Sequence, residues 1–292
     1  MRITQQAMSY QALQRLQNRL DQLAQAQASL GSGKRIHKPS DDPSAMNRSM
    51  SLRGLQAASD QAARNASDGL LWTSLADSKL QTLLDRLHRA RELAVRSGSV
   101  TNDAEREAFA AELRSIREEA IAIANSKIGD RALFAGTADG DAVSADGTAY
   151  LGDEGVVERR VGPNDVVRVN VLGSEVFGFD DGRDLFSVLD DLTTHIASGD
   201  SAGVQTSISE IDDSMDRILS ALAELGAATN RIEAAQRRNA DEKLSLQDRL
   251  SQVESVDVAE AIMQLQLQQV AYEATLGALA RSIQPSLIDF LR

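Results

Sequence analysis

At 292 residues the chain is long enough for roughly two domains and at least one sizeable core. Thirty-one basic against forty-three acidic residues leave a net charge of -12, which argues against a general nucleic-acid binder and predicts no DNA or RNA partner. Cysteine is absent, so disulfides, thiolate metal sites, iron-sulfur clusters and cysteine nucleophiles are excluded together. Apolar residues make up 42% of the chain but aromatics only 3%, a mix suited to long helices packed through small aliphatic faces.

Leu13, Leu16, Leu20, Leu23 and Leu30 recur at steps of three and four, with Gln27 interrupting the seam. This spacing predicts a coiled-coil-like first helix, ending at Gly31 and Gly33. Residues 31–43 read as a loop, because glycine permits left-handed turns and Pro39 and Pro43 cannot continue a helix interior. Asp42 is placed to cap the next helix and Pro43 to open it. From Ser44 to about Ser97, Leu71, Leu75, Leu80, Leu83, Leu84, Leu87 and Leu93 cover one helical face. Gly98 ends it. Thr101 or Asn102 opens a further helix, with Asp103, Glu105 and Glu107 near its positive end.

The character changes between about Asp130 and Asp184. Glycines cluster, and Val167, Val169 and Val171 alternate with polar neighbours in a strand-like period of two. Asp139, Asp141, Asp146, Asp153, Glu154, Asp165, Asp180 and Asp181 predict a small β-rich insertion facing solvent. Helical periodicity returns after Leu185, and no proline occurs from Ser201 to Gln284. A continuous helix of that length would span about 120 Å and needs partners alongside. Val258, Ile262, Leu265, Gln269, Tyr272, Leu276, Leu279 and Ile283 follow alternating steps of four and three, a sustained heptad seam. The fold class expected is therefore mainly α: a long antiparallel helical rod or coiled coil formed by the N- and C-terminal segments, with a small β-rich domain in the middle. Its divisions fall at 1–43 (assembly helix and loop), 44–136 and 185–253 (two parts of a helical rod), 137–184 (β-rich outer domain) and 254–292 (C-terminal assembly helix).

Both terminal stripes lack the charged flanks of a solvated coiled coil. Between Glu260 and Arg281 the only charged residue is Glu273, and Gln264, Gln266, Gln268 and Gln269 flank the seam. Buried amides without partners are costly in lipid, so no membrane insertion is expected. Residues 1–30 carry Gln, Ser and Arg throughout and no unbroken apolar core, so no cleavable secretory signal is expected there. Alanine and glutamine faces of this kind predict ends that gain order when neighbouring subunits cover them. Gln27 and Gln269 either set register or sit in gap-tolerant packing. Lys34, Arg35 and Lys38 beside Asp41 and Asp42 read equally as a capped, solvated loop or as a subunit-contact loop whose opposite charges fix register between neighbours.

Catalytic chemistry finds little support. His37, His88 and His195 are far apart, and no HExxH or phosphate-binding glycine motif occurs. Asp139, Asp141 and Asp146 lack the spacing of a calcium loop. No metal, cofactor or enzymatic activity is expected.

The segment Leu30-Gly-Ser-Gly-Lys-Arg-Ile-His-Lys-Pro-Ser-Asp-Asp-Pro43 resembles the N-terminal signature of the bacterial flagellin family, and Gly226-Ala-Ala-Thr-Asn-Arg231 with Asp257-Val-Ala-Glu-Ala261 resembles its C-terminal counterpart. The likeness covers roughly residues 1–136 and 200–292, and the middle matches only in placement. Within the family, the Met1-Arg-Ile-Thr4 start and the Ser286-Leu-Ile-Asp-Phe-Leu-Arg292 ending are most similar to members that join hook to filament. The resemblance implies a structural, extracellular flagellar component without a cofactor, whose terminal helices form an inner tube with copies of itself and related subunits. It further implies unfolded export without signal cleavage, and a chaperone on the C-terminal segment. A short flagellin of the filament is the alternative within the family. A secreted coiled-coil binding protein or adhesin, with the acidic insertion as its recognition surface, is the alternative outside it. Limited proteolysis of the isolated chain should leave a resistant core from about residue 40 to about residue 255; protection extending to both ends would count against termini that depend on neighbours.

Overall fold

The computed structural model describes residues 2–99, 101–180 and 182–283. Among these, α1 (Arg2–Ser32), α2 (Pro43–Ser97) and α3 (Asp103–Ala124) precede two short antiparallel hairpins, β1 (Lys127–Ile128) with β2 (Arg131–Ala132) and β3 (Glu158–Arg160) with β4 (Val166–Arg168). Four helices follow: α4 (Gly173–Phe177), α5 (Leu185–Ser198), α6 (Ser201–Glu254) and α7 (Val258–Ile283). The chain is mainly α, as the leucine spacing predicts, with a small strand-containing region in its middle. Its contacts divide it into two compact units, one of residues up to Ala57 together with those from Lys243 onward, the other Ala58–Glu242. The start and ending singled out by sequence, at Met1 and Ser286–Arg292, lie outside the described residues, as do Val100 and Asp181.

Helix boundaries follow local chemistry. Asp42 accepts the Ala45 N–H at 2.9 Å while its carbonyl takes the Met46 N–H, which seats Pro43 in the first helical position where no donor is needed. The Asn102 side chain caps α3 by accepting the Ala104 N–H. The proline-free stretch from Ser201 is not one continuous helix: α6 ends at Glu254 and α7 begins at Val258. Absence of proline permits a helix but does not compel one. Here Ser255 forms an antiparallel bridge with Lys34, the Val256 N–H donates to the Gly33 carbonyl, and Asp257 restarts the helix by accepting the Ala259 and Glu260 N–H groups.

The larger unit holds the main core. Leu80, Leu83, Leu87, Ala90 and Ala94 of α2 alternate steps of three and four, and Ile211, Ile218, Leu225 and Ile232 of α6 recur every seven residues; nearly all are shielded from solvent. The two helices run antiparallel here, since Ser59 bonds Asn239, Thr73 bonds Thr229 and Arg91 pairs with Asp212. α3 packs on α5, and Leu113, Leu189 and Leu192 are fully buried.

The middle segment carries the small strand-containing region and is packed into the helical core. Its strands are at most three residues long, and Val167, Val169 and Val171 are all buried in the same core as the helices. Alternation breaks after β4, where the buried Asn170 side chain replaces ladder bonds by accepting the Val157 N–H and donating to the Gly155 carbonyl. Not all of its acidic residues are idle in solvent. Asp165 receives Arg231 at 3.1 Å and Arg238 at 2.7 Å, both from α6, and Arg159 of β3 reaches Asp68 of α2. Arg231 also donates to the Val166 carbonyl, so the Gly226–Arg231 motif helps to hold the β3–β4 hairpin onto α6. Phe134, Phe177 and Phe186 fill the space behind, with Phe177 centroids 5.5 and 5.6 Å from its neighbours. Phe177→Ala should lower unfolding stability by about 3–5 kcal/mol, measured by urea titration, because it empties a site with no solvent access.

Candidate functional site

α1 and α7 pack on one another, and the Lys34–Ser255 bridge at the end of α1 and the start of α7 makes the pair antiparallel. Little is buried between them. No described side chain of α1 is buried, and in α7 only Ala261 is. Leu16, Leu23 and Leu30 are half-buried, whereas Leu13 and Leu20 remain 56% and 42% exposed. On α7 the shielded row is Ala261, Leu265, Gln268, Ala271, Tyr272, Thr275 and Leu279.

This row shares Leu265, Tyr272 and Leu279 with the expected seam but is rotated about the helix axis. Val258, Ile262, Gln269 and Leu276 fall outside it, with Val258 57% exposed, and the side chain of Ile283 lies outside the described residues. Small residues explain the rotation, since Ala261 and Thr275 admit a neighbouring backbone more closely than Ile262 and Leu276. Gln27 and Gln269, the two expected seam amides, are both exposed; Gln268 takes the shielded place. A second apolar row, Met263, Leu267 and Val270, faces away from the pair and is about two-thirds exposed.

The charged loop folds into a clasp at the root of this pair. Arg35 donates its backbone N–H to the Glu254 carbonyl at 2.7 Å, and its guanidinium reaches the Val253 carbonyl and Asp42. Lys34 Nζ stands 3.1 Å from the Glu254 carboxylate. Arg53 of α2 donates to both carboxylate oxygens at 2.7 and 2.9 Å, and the buried Ser49 hydroxyl adds a third donor. Ile36 is buried beside them. Asp41 and Asp42 are engaged locally: Asp41 accepts the His37 and Lys38 N–H groups, and these bonds hold its carboxyl below the ordinary value. Lys38 takes part through its backbone, donating to Asp41. Lys34, Arg35, Asp41 and Asp42 thus all have partners within the chain.

Glu254, Ser49 and Arg53 escaped sequence reasoning. Their link spans the length of the chain, and an isolated Glu at the end of a polar helix carries no periodic signal. Burial by itself pushes the Glu254 carboxyl up, but the bonds from Ser49, Arg53 and Lys34 outweigh it and hold the group at about 2, against an ordinary 4.5. Among the described residues no group of acidic or histidine side chains is arranged to hold a metal ion, and no helix is long and apolar enough to cross a membrane.

Residues 3–139 match the bacterial flagellin N-terminal helical region, and residues 208–291 match the bacterial flagellin C-terminal helical region. The chain belongs to the bacterial flagellin family. Among curated flagellin-family relatives, it is 26% identical to flagellar hook-associated protein 3 of Salmonella typhimurium, over 94% of this chain and 95% of that one. It is 27% identical to the flagellin of Halalkalibacterium halodurans, over 91% of this chain and 89% of the relative. Among solved structures the fold is shared with FlgL of Xanthomonas campestris, with a TM-score of 0.61 and 21% identity over 68% of this chain and 99% of that one. It is also shared with the flagellar junction protein FlgL of Legionella pneumophila, with a TM-score of 0.57 and 15% identity over 73% of this chain and 100% of that one.

A depressed carboxylate pKa contributes stability that is complete above the unfolded value and is lost as pH falls through the folded one. The clasp should therefore weaken between about pH 4.5 and pH 2. Glu254→Gln should cost about 2 kcal/mol at pH 7, since the two cations are half-exposed and water screens them. Urea titrations at pH 7 and pH 3 should show the gap between wild type and variant shrinking in acid.

Proposed function

We propose that this flagellin-family chain is a structural, non-enzymatic subunit that joins flagellar hook to filament, assembling through α1 and α7 with copies of itself, with neighbouring hook-associated protein subunits and with flagellin. The observation that carries the reading is the α1–α7 pair, in which Ala261 alone of the described side chains is fully buried while Met263, Leu267 and Val270 are about two-thirds exposed. Isolated helices with so little burial gain most of their stability from packing against others. Support for a junction role comes from the hook-associated relative, which matches along nearly its whole length.

In this reading the subunit acts outside the cell, in the flagellum, and travels there unfolded without signal cleavage. The cysteine-free composition suits such a passage. A dedicated export chaperone covers the C-terminal amphipathic segment beforehand, since an exposed apolar row invites premature association. The clasp loop, although its charges are met within the chain, leaves Lys34 and Arg35 about half-exposed and still able to touch a neighbour.

A filament role is the second reading, favoured by the flagellin relative of comparable identity. Copy number in purified flagella separates the two, because a junction forms a thin zone and a filament subunit forms the bulk. Deleting the last forty residues should abolish incorporation into flagella, scored by immuno-electron microscopy, while leaving the core of the Ala58–Glu242 unit folded. Normal incorporation of the truncated chain would overturn assembly through α7.

A further inference from the structure

We propose that Glu254 is a positioning residue that sets the register in which α7 lies along α1. The inference rests on the assembly reading only in taking this pair to be the polymer-forming element. The seam between the two helices is nearly blind to a slip of one heptad. Leu16, Leu23 and Leu30 on α1 and Leu265, Tyr272 and Leu279 on α7 each recur every seven residues, so a shift by seven sets large apolar side chains against large apolar side chains again.

Among the described residues no polar lock holds the seam. A buried amide with a partner specifies register in a coiled coil, but the shielded Gln268 Oε1 has no donor. Among the described residues no ion pair joins α1 to α7.

The clasp has no such degeneracy. Lys34 and Glu254 stand beside the Lys34–Ser255 bridge, and the bonds from Arg35 N–H to the Glu254 carbonyl and from Val256 N–H to the Gly33 carbonyl tie the end of α1 to the start of α7. A slip of seven residues would bring Gln247 or Ala261 to the place of Glu254. Neither is a carboxylate, so Arg53, Lys34 and Ser49 would lose their common acceptor. One buried acid accepting from three separate positions therefore selects one alignment, and the seven-residue repeat propagates it down the pair.

The absence of native cysteine allows a direct test in the full-length chain. Leu16 and Tyr272 lie at nearly equal distances along their helices from Lys34 and Ser255, while Leu265 and Leu279 lie one heptad to either side of Tyr272. Leu16→Cys is combined in turn with Leu265→Cys, Tyr272→Cys and Leu279→Cys, and intramolecular disulfide yield is measured in dilute solution under mild oxidation. In the otherwise native chain the Leu16–Tyr272 pair should dominate. With Glu254→Gln, and separately with the milder Lys34→Met, its advantage over the other two should fall by about tenfold, or ~1.4 kcal/mol of preference, while circular dichroism shows helical content retained.

An unchanged preference in both variants, no dominant pair in the native background, or dominance of a flanking pair would each overturn the proposal. Loss of the preference through gross loss of helix in both variants would also overturn it, since the clasp would then be a general folding element. Incorporation into flagella, scored on the native chain, is read separately: failure there with the Leu16–Tyr272 preference intact sinks the assembly reading and leaves the register claim standing.

Discussion

A carboxylate removed from water must be met by donors or it will not stay charged, and Glu254 is the place where this constraint organises the chain's two extremities. Its donors come from the loop after α1 and from the first turns of α2, so satisfying one acid draws together segments some two hundred residues apart in sequence. The interruption between α6 and α7 arises at the same place, because the backbone at Ser255 and Val256 is used to bridge the loop rather than to extend the helix. Beyond the break, α7 is held at its root and thinly packed along its length.

That contrast separates the two units physically. The larger one is stabilised by buried leucines, isoleucines and three interlocked phenylalanines, and its short strands are tied to helices by Asp165 and Asp68. The smaller one has few buried apolar side chains, among them Ile36, Ala45, Leu246 and Ala261, and relies more on capping, backbone bridging and one ion cluster. Polar cohesion of this kind is directional. It defines geometry well while adding little bulk stability.

Membership of the flagellin family gives these features a setting. The chain's N- and C-terminal helical regions are the parts that match the family, and they contain the α1–α7 pair. On α7 the small residues Ala261 and Thr275 are shielded, and the larger Ile262, Met263 and Leu267 are exposed.

Periodicity alone was sufficient for the mainly helical class and for the existence of a terminal seam at Leu265, Tyr272 and Leu279, and residue chemistry for the cap at Asp42 and the helix opening at Asn102, because these depend on neighbours within a turn or two along the chain. Only the tertiary structure decided which side of α7 turns toward α1, since the apolar rows on that helix overlap and the choice rests on how closely Ala261 and Thr275 let a backbone approach. It likewise decided that Val167, Val169 and Val171 join a helical core, that Asp165 anchors two arginines, and that Glu254 is buried. Each of these is a long-range pairing of charge or volume, and no local spacing encodes the residue at the other end.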